Sequence, residues 1–529
     1  MDEIIKSRIE NGECSLGIEL GSTRIKAVLI NREAEVLAVG YHDWENSFEN
    51  GIWTYHLDDV SSGLKSCYRS LKKDVFEKYG ATLKNLASLG ISAMMHGYIA
   101  LDRDDNLLAP FRTWRNTNTA AAADMLTEEF GFNIPQRWSI AHFWQQVLDG
   151  EEHIAKIDKL MTLSCYVHYL LSGEFVLGIG DASGMFPAEA DRPEYSARML
   201  KKLNAMMAEK GIGYKAEDIL PKVAAAGDIC GYLSEKGARF LDEEGDLSAG
   251  IPMCPPEGDA GTGMTATNSV RPATGNVSAG TSVFAMIVLE KELSELYREI
   301  DVTATPGGSP VAMVHCNNCS SELNAFADMF AELGGKFGLE PSRGSVLGKM
   351  FSEAENAEPD CAGVFSCNYL SGEHITGFTK GRPLVARLPE SNFNLANFSR
   401  SLVYSAFATI KIGMETLETE KVRIERMTGH GGLFKSDFAA KALAAATGAE
   451  VVVMENAGEG GAWGMAILAS YSVNKSEGEK LEDYLDKKVF SGAKSKKFAP
   501  KKEDVEGFGK YIENYKKLLI AEKAAVENL

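Results

Sequence analysis

The sequence lacks any apolar run of membrane-spanning length, and its first residues, MDEIIKSRIE, contain no apolar signal core. It also has little cysteine: nine residues, too scattered along the chain to indicate a disulfide framework. These absences argue against a membrane protein and against a disulfide-rich secreted one. We therefore expect no membrane partner and a reducing, cytoplasmic location.

Positive charge is also in short supply. Lys and Arg number 55 against 74 Asp and Glu, which gives a formal net charge of −19. Because nucleic acids and anionic membranes would repel such a chain, we expect no nucleic-acid partner. A small anionic substrate is not excluded, since a local group of backbone N–H donors can hold one. The oligomeric state, monomer or homodimer, stays open.

The length of 529 residues is too great for one hydrophobic core and predicts two large domains. Strand-like and helix-like segments alternate, which predicts an α/β fold with a mixed sheet covered by helices. A strand–turn–strand pattern near the N-terminus recurs near Gly275, so the two halves resemble related units. We place the domains at residues 14–265 and 266–529, the second ending in a helix from about residue 500.

The first strand–turn–strand pattern lies between Leu16 and Ile30, and its turn is Gly21-Ser22-Thr23. Such a turn can present several N–H groups and two hydroxyls to one anion, and Lys26 adds a positive charge. A carboxylate, Glu19, stands just before the turn. Taken alone, the pattern is more typical of an ordinary hairpin turn.

A second turn of the same kind, Gly280-Thr281-Ser282, opens the second half of the chain. Two such turns, each at the start of an apparently duplicated half, favour a pair of clamps on one polyphosphate in a cleft between domains. The alternative is that both turns only reverse the chain.

Between the turns, Asp259 lies in a run of small residues, PPEGDAGTGMTATNS. A carboxylate in this setting can approach a ligand closely and accept a proton from a hydroxyl. The alternative is an aspartate that caps the helix after it.

Three further segments contain residues that could carry chemistry. GHGGLFKS, Gly429–Ser436, fails as a P-loop because Phe434 precedes Lys435, but Gly431 and Gly432 could let a nucleotide lie against the backbone. Gly458–Ala469 is glycine-rich without being a convincing dinucleotide fingerprint. Met95 and His96 end a buried-looking strand, where the imidazole could bind a polyol or be a satisfied core histidine.

Together these segments resemble the FGGY family of carbohydrate kinases, in the family's order and over almost the whole chain. In this chain, IELGSTRIK and NVSAGTS resemble the family's two phosphate segments, and EGDAGTG resembles its catalytic segment. GHGGLFKS and EGGAWGMAILA resemble its adenosine segments. The resemblance implies two actin-like, ribonuclease-H-like domains with ATP, Mg²⁺ and a sugar bound in the cleft between them.

The resemblance also implies roles for individual residues. Asp259 would be the general base, and Glu19 and Asp259 would hold Mg²⁺ through water. ATP would be bound by the two turns, by Lys26 and by the adenosine segment: Gly21, Ser22, Thr23, Lys26, Gly280, Thr281, Ser282, Gly431, Gly432 and Ser436. The family usually has Asp where this chain has Glu19, so the metal contact is expected to shift.

The sugar segment Met95-His96-Gly97 is similar to the version in family members that phosphorylate xylulose. We expect Met95, His96, Trp114, Asn116 and Asp259 to contact the sugar, with D-xylulose or a related ketopentose as the substrate. The TWRNTNT stretch offers Arg115 and Asn116 but no Asp, which leaves ribulose, another polyol or gluconate as alternatives. A weakly catalytic ATP-binding sensor on the same fold is the rival from outside enzymology.

Overall fold

The computed structural model describes residues 2–190, 192–454 and 460–529, which form two compact units. The first unit takes the described residues of Met1–Arg271, Val302–Val311 and Ala457–Gly492. The second takes those of Pro272–Asp301, Ala312–Asn456 and Ala493–Leu529. The chain therefore crosses between the units several times, and the boundary placed between residues 265 and 266 stays a prediction.

The described strands are short, and most of them belong to two central sheets. In chain order they are β1 (Ser15–Leu20), β2 (Arg24–Ile30), β3 (Val36–Asp43), β4 (Ser47–Glu49), β5 (Ile52–Thr54), β6 (Ser88–Ala93), β7 (Ile99–Leu101), β8 (Lys159–Met161), β9 (Val176–Gly178), β10 (Lys222–Ala224), β11 (Glu257–Gly258), β12 (Thr274–Ala279), β13 (Val283–Val288), β14 (Asp301–Ala304), β15 (Pro310–Cys316), β16 (Val364–Cys367), β17 (Leu384–Arg387), β18 (Arg426–His430), β19 (Glu450–Met454) and β20 (Ser495–Phe498).

The described helices range from single turns to 27 residues. They are α1 (Asp2–Glu10), α2 (Leu57–Tyr79), α3 (Ala120–Phe130), α4 (Ser139–Leu148), α5 (Leu163–Ser172), α6 (Ile179–Ala182), α7 (Ala197–Glu209), α8 (Ala216–Ile219), α9 (Glu235–Leu241), α10 (Asp259–Ala266), α11 (Ser321–Lys336), α12 (Arg343–Ala354), α13 (Leu395–Thr419), α14 (Asp437–Thr447), α15 (Gly460–Asn474), α16 (Leu481–Tyr484) and α17 (Lys502–Asn528).

The first unit is built on a five-stranded sheet in the order β3-β2-β1-β6-β11. The first three strands are antiparallel neighbours, whereas β6 and β11 run parallel to β1. This arrangement follows from tight turns after β1 and β2 and from long helical connections before β6 and β11. An antiparallel start followed by parallel strands is the mixed sheet that the sequence predicts.

Helices α2 and α15 cover opposite faces of this sheet. A Cβ at Gly17 would collide with the α15 backbone, and one at Gly40 would collide with α2 at Cys67 and Leu71. Gly17 shares a face with Val28 and Val39, while Gly40 lies in the next row across the strands. The two glycines therefore let helices approach the sheet closely from both sides.

The second unit repeats the same arrangement. β13 is antiparallel to β12, while β18 is parallel to β12 and β19 is parallel to β18. The strands of this unit are neighbours in the order β15-β13-β12-β18-β19-β20. The predictions of an α/β fold, of a repeated strand–turn–strand and of a C-terminal helix are confirmed. Within residues 2–190, 192–454 and 460–529, no helix combines the length and apolar character needed to cross a bilayer.

Candidate functional site

The carboxyl ends of β1, β6 and β11 bring together three candidate residues of the first unit. Glu19 stands opposite Ser92 of β6, and Gly258 of β11 stands opposite Ala93. The three strands are parallel neighbours, so the residues that follow them meet at one edge of the sheet. Glu19, Met95 and Asp259 consequently lie together, although about 240 residues separate the first from the last.

Asp259 opens helix α10, and its carboxylate does not cap that helix. The N-cap is Gly258, and no side chain makes a capping hydrogen bond there. Instead, the Asp259 Oδ1 atom accepts a 3.3 Å hydrogen bond from the Met95 N–H. The side chain is open to solvent, while the protein around it displaces enough water to raise its pKa. An accessible carboxylate with a raised pKa suits a proton acceptor.

Glu19 is held between Asp259 and the start of α15. Burial and the negative charge of Asp259 raise its pKa to about 7, while Lys26 and the N–H of Ala462 act in the opposite direction. The side chain fits only because Gly461 has no Cβ, which would overlap the Glu19 Oε1 atom. Lys26 lies opposite Glu19 in the β1–β2 register. Two acids that repel each other in this way form a donor set suited to a divalent cation.

The turn Gly21-Ser22-Thr23 is fixed through its carbonyl groups. The Trp44 indole donates to the Gly21 oxygen over 2.7 Å, and the Tyr55 hydroxyl donates to the Ser22 oxygen over 2.7 Å. The two rings stack with centroids 4.3 Å apart. No hydrogen bond from the Ser22 or Thr23 N–H is found within the described part of the chain. With its carbonyls tied inward, the turn presents amides to an anion.

The turn Gly280-Thr281-Ser282 of the second unit is also held by hydrogen bonds to its carbonyl groups. The N–H and hydroxyl of Ser320 both donate to the Gly280 oxygen, over 3.2 and 2.6 Å, and the Cys319 N–H donates to the Thr281 oxygen over 3.0 Å. Thr281 is exposed, and its N–H has no partner among the described residues. This turn is therefore a second candidate anion site.

The candidate adenosine turn follows β18. Gly431 has a φ of +98°, and a Cβ there would lie 2.6 Å from the Ala279 oxygen, so this position requires glycine. A Cβ at Gly432 would meet nothing within 4 Å. The Ser436 hydroxyl accepts a 3.2 Å bond from the Phe438 N–H and caps α14.

The glycine-rich segment Gly458–Ala469 lies partly outside the described residues, since Gly458 and Glu459 are not among them. Its remaining residues begin α15 of the first unit. There Gly461 adjoins Glu19, and a Cβ at Gly464 would overlap the Thr262 backbone. These two glycines bring α15 close to β1 and α10.

His96 is buried in a strained backbone conformation at the end of β6, with φ of +67°. Its Nδ1 atom donates to the Gly184 oxygen over 2.8 Å, and Nε2 accepts from the Arg137 Nε–H over 3.2 Å. Burial and the Arg137 charge lower its pKa to about 3, so the ring is neutral. Both ring nitrogens thus have protein partners, and Met95 beside it is also buried.

Sequence reasoning missed two buried acids that build the edge around Asp259. Glu257 accepts hydrogen bonds from the backbone of Gly180 and Asp181, and Asp181 accepts from the hydroxyls of Thr162 and Ser164. Burial is the first cause that raises their pKa values, to about 8 for Glu257 and about 7 for Asp181. The signal that could have found them is GIGDASG, whose glycines leave room for Glu257 and His96.

The side chains of the TWRNTNT stretch differ in burial. Asn116 is buried. Its side-chain oxygen accepts a hydrogen bond from the Trp53 N–H, and its Nδ2 atom donates to the Trp53 and Thr113 oxygens, all over 2.8–3.0 Å. Trp114 is 40% exposed. The Arg115 guanidinium lies 3.8 Å from the centre of the Trp53 ring. Trp114, Arg115, Thr117 and Asn118 are therefore accessible, while Asn116 is buried and anchors β5.

Two family models match the chain in the order of its units. The N-terminal domain model of the FGGY family of carbohydrate kinases matches residues 14–262, and the C-terminal domain model matches residues 275–473. These matches span most of the sequence, and the chain therefore belongs to the FGGY family of carbohydrate kinases. It is a phosphotransferase for a sugar, and kinases of this family use ATP as the phosphate donor.

The following relatives are distant in sequence but similar over most of their length. The xylulose kinase of Haemophilus influenzae is 22% identical over 484 residues, covering 88% of this chain and 92% of the relative. A ligand-bound xylulose kinase from Lactobacillus acidophilus has a TM-score of 0.78 at 15% identity, with 96% and 98% of the two chains covered. Gluconate kinase from Lactobacillus acidophilus has a TM-score of 0.77 at 15% identity, with 96% and 97% covered. The structural likeness confirms the predicted actin-like fold.

Proposed function

We propose that this carbohydrate kinase phosphorylates D-xylulose or a related ketopentose, with Asp259 as the general base. The observation that carries the proposal is the position of Asp259: it is solvent-accessible, has a raised pKa, and is bonded to the backbone of the Met95–His96 segment. Asp259 takes the proton from the attacking hydroxyl as the oxygen bonds to the terminal phosphorus of ATP. The phosphorus–oxygen bond to ADP breaks in the same transfer.

The turns Gly21–Thr23 and Gly280–Ser282 are proposed to hold the ATP phosphates through their outward amides, with Lys26 adding positive charge. Gly431, Gly432 and Ser436 are proposed to line the adenosine, since Gly432 leaves space for a ligand beside the backbone. Phosphoryl transfer needs chiefly positioning and charge neutralisation, which amide donors supply.

Glu19 and Asp259 are proposed to hold Mg²⁺ through water. No group of three or more His, Cys, Asp or Glu side chains in the described portion of the chain is arranged to bind a metal. Two carboxylates with water and ATP phosphates suit Mg²⁺, which keeps much of its hydration shell. When bound, the ion would neutralise phosphate charge.

The proposed sugar contacts are Met95, His96, Trp114, Asn116 and Asp259. Both nitrogens of His96 and the amide of Asn116 are hydrogen-bonded within the protein. We therefore propose that these two residues shape the walls of the sugar subsite and do not hydrogen-bond the sugar. A sugar acid such as gluconate is the second candidate substrate. Arg115, accessible on the face of Trp53, is the observation that favours it.

The experiment is an assay of ADP release with D-xylulose, D-ribulose, glycerol and D-gluconate, using Asp259→Asn as the background control. We expect D-xylulose to give the highest kcat/KM. A preference for gluconate that Arg115→Ala abolishes would replace the ketopentose by the sugar acid. No stimulation by any carbohydrate would favour the ATP-binding sensor.

A further inference from the structure

Glu373 is a buried carboxylate in the second unit, in the segment that follows β16. Its side chain is 0% exposed, and burial raises its pKa to about 7. A buried acid is costly unless hydrogen bonds compensate for its lost hydration. The hydrogen-bond partners of Glu373 therefore indicate its structural role.

The Glu373 Oε2 atom accepts three hydrogen bonds from the loop after β15. The donors are the Asn317 N–H at 2.9 Å, the Asn318 N–H at 3.3 Å and the Asn318 Nδ2 at 3.1 Å. The Asn318 Oδ1 atom accepts in return from the Leu370 N–H at 3.0 Å and the Ser371 N–H at 3.0 Å. Loops 317–320 and 370–373 are thus bonded in both directions.

The same loop is hydrogen-bonded to the turn that is proposed to hold phosphate. Cys319 and Ser320 follow Asn318, and they donate to the carbonyls of Thr281 and Gly280. An unbroken series of contacts leads from Glu373 through Asn318 to the turn. Moving loop 317–320 by a fraction of a hydrogen-bond length would redirect the turn amides, because both carbonyls are attached to it.

We propose that Glu373 is a positioning residue for ATP, which orients the Gly280–Ser282 turn through Asn318 and the loop after it. The proposal rests on the proposed function, since it needs this turn to bind phosphate. Glu373 touches neither ATP nor sugar in this scheme. It fixes the loop to which the turn carbonyls are bonded, as an orienting hydrogen-bond partner fixes a group that contacts substrate.

The test measures binding of ADP and of the non-hydrolysable analogue β,γ-imido-ATP, each with Mg²⁺, by calorimetry on the full chain. Glu373→Ala removes the acceptor of three N–H groups and is expected to weaken binding of both nucleotides about tenfold. Glu373→Gln keeps a carbonyl acceptor and is expected to bind them within about twofold of the wild type. In turnover assays, Glu373→Ala should raise KM for ATP while KM for the sugar is unchanged.

Glu420→Ala is the matched control in the same unit. Glu420 likewise ties a loop, accepting from the Ser294 N–H and hydroxyl and from the Tyr297 hydroxyl over 2.8–3.1 Å. Its loss costs comparable bonds without touching loop 317–320, so nucleotide binding should stay within about twofold of the wild type. If Glu373→Ala does not fold, Asn318→Ala breaks the same series of contacts one step later and should weaken nucleotide binding similarly.

Gly280→Ala separates the inference from the function on which it rests. A Cβ at Gly280 would meet nothing of the protein within 4 Å, so weaker binding would report the close approach of phosphate. Wild-type binding by Glu373→Ala and Asn318→Ala, with weak binding by Gly280→Ala, would overturn the role of Glu373 alone. Wild-type binding by all three variants would overturn the phosphate role of the turn as well.

Discussion

The two glycine turns have similar sequences, and both have their carbonyls tied back, but by different groups. The Gly21 and Ser22 carbonyls are held by the Trp44 indole and the Tyr55 phenol, with one bond each, and the Thr23 carbonyl accepts from the Trp44 N–H. Gly280–Ser282 is held mainly by the backbone of a neighbouring loop, which is itself hydrogen-bonded to a buried acid, Glu373. The difference shows that one requirement, carbonyls inward and amides outward, can be met by side chains or by a second loop.

The turns also differ in their surroundings. Glu19 and Asp259 stand beside the first turn, in the unit that also carries the Met95–His96 segment. The second turn belongs to the unit with the Gly431–Gly432 segment. The proposed proton transfer is therefore a property of the first unit, whereas the second contributes to nucleotide binding.

The largest expected effect tests this division. Asp259→Asn should lower kcat by roughly 10²–10⁴-fold, because an amide cannot accept the hydroxyl proton as a carboxylate does. Binding of ADP, measured by calorimetry, should change by less than about twofold. Turnover like that of the wild type in this variant would show that another group is the base.

A smaller effect compares the tethers of the two turns, meaning the groups that donate hydrogen bonds to the turn carbonyls. Tyr55→Phe leaves the Ser22 carbonyl without its donor and should raise KM for ATP roughly threefold to tenfold. Ser320→Ala should raise it less than about twofold, because the Gly280 carbonyl retains the Ser320 N–H.

Tyr214→Phe is the control for the tether comparison, since it removes a 2.7 Å bond from a hydroxyl to the Ile154 carbonyl elsewhere in the first unit. It should leave KM for ATP unchanged. Equal effects of Tyr55→Phe and Ser320→Ala would contradict the inferred difference between side-chain and backbone tethers.

The smallest expected effect concerns Glu373, the acid bonded to the loop that holds the second turn. Burial raises the pKa of Glu373 from 4.5 to about 7, so the folded state retains the proton between these values. The resulting stability is complete below pH 4.5 and is lost as the pH rises through about 7. Between pH 6 and 7.5, the free energy of unfolding should fall by about 1 kcal/mol more in the wild type than in Glu373→Gln.

Urea unfolding at the two pH values measures this difference. The titratable neighbours are His374, whose Nδ1 lies 3.7 Å from the Glu373 Oε1, and the buried Cys316, and both are present in the two proteins. Parallel pH dependence in wild type and variant would mean that Glu373 stays ionised in the folded state.

Local patterns allowed the fold to be predicted well from the sequence. The turn after Leu20, the strand near Ala38 and the terminal helix follow from residue periodicity and turn chemistry, which act over a few residues. The family resemblance pointed to Asp259 and the glycine turns. GIGDASG is a local signal for Asp181 and Glu257, but the two acids meet only in the fold. Parallel pairing places Glu257 opposite Ser92, and the Asp181 N–H donates to the Glu257 carboxylate. Whether Asn116 points to a sugar or to Trp53 is likewise decided by packing.

The close packing of α15 on β1 has a consequence for how the polypeptide is made. The helix belongs to the first unit, yet a ribosome must synthesise most of the second before Gly460–Asn474 emerges. Until then, the face of β1 at Gly17 lacks its cover, and the nascent N-terminal half has an incomplete core. A gene fragment that stops near residue 265 would encode the proposed base and the first candidate phosphate turn, but not the helix that Glu19 packs against.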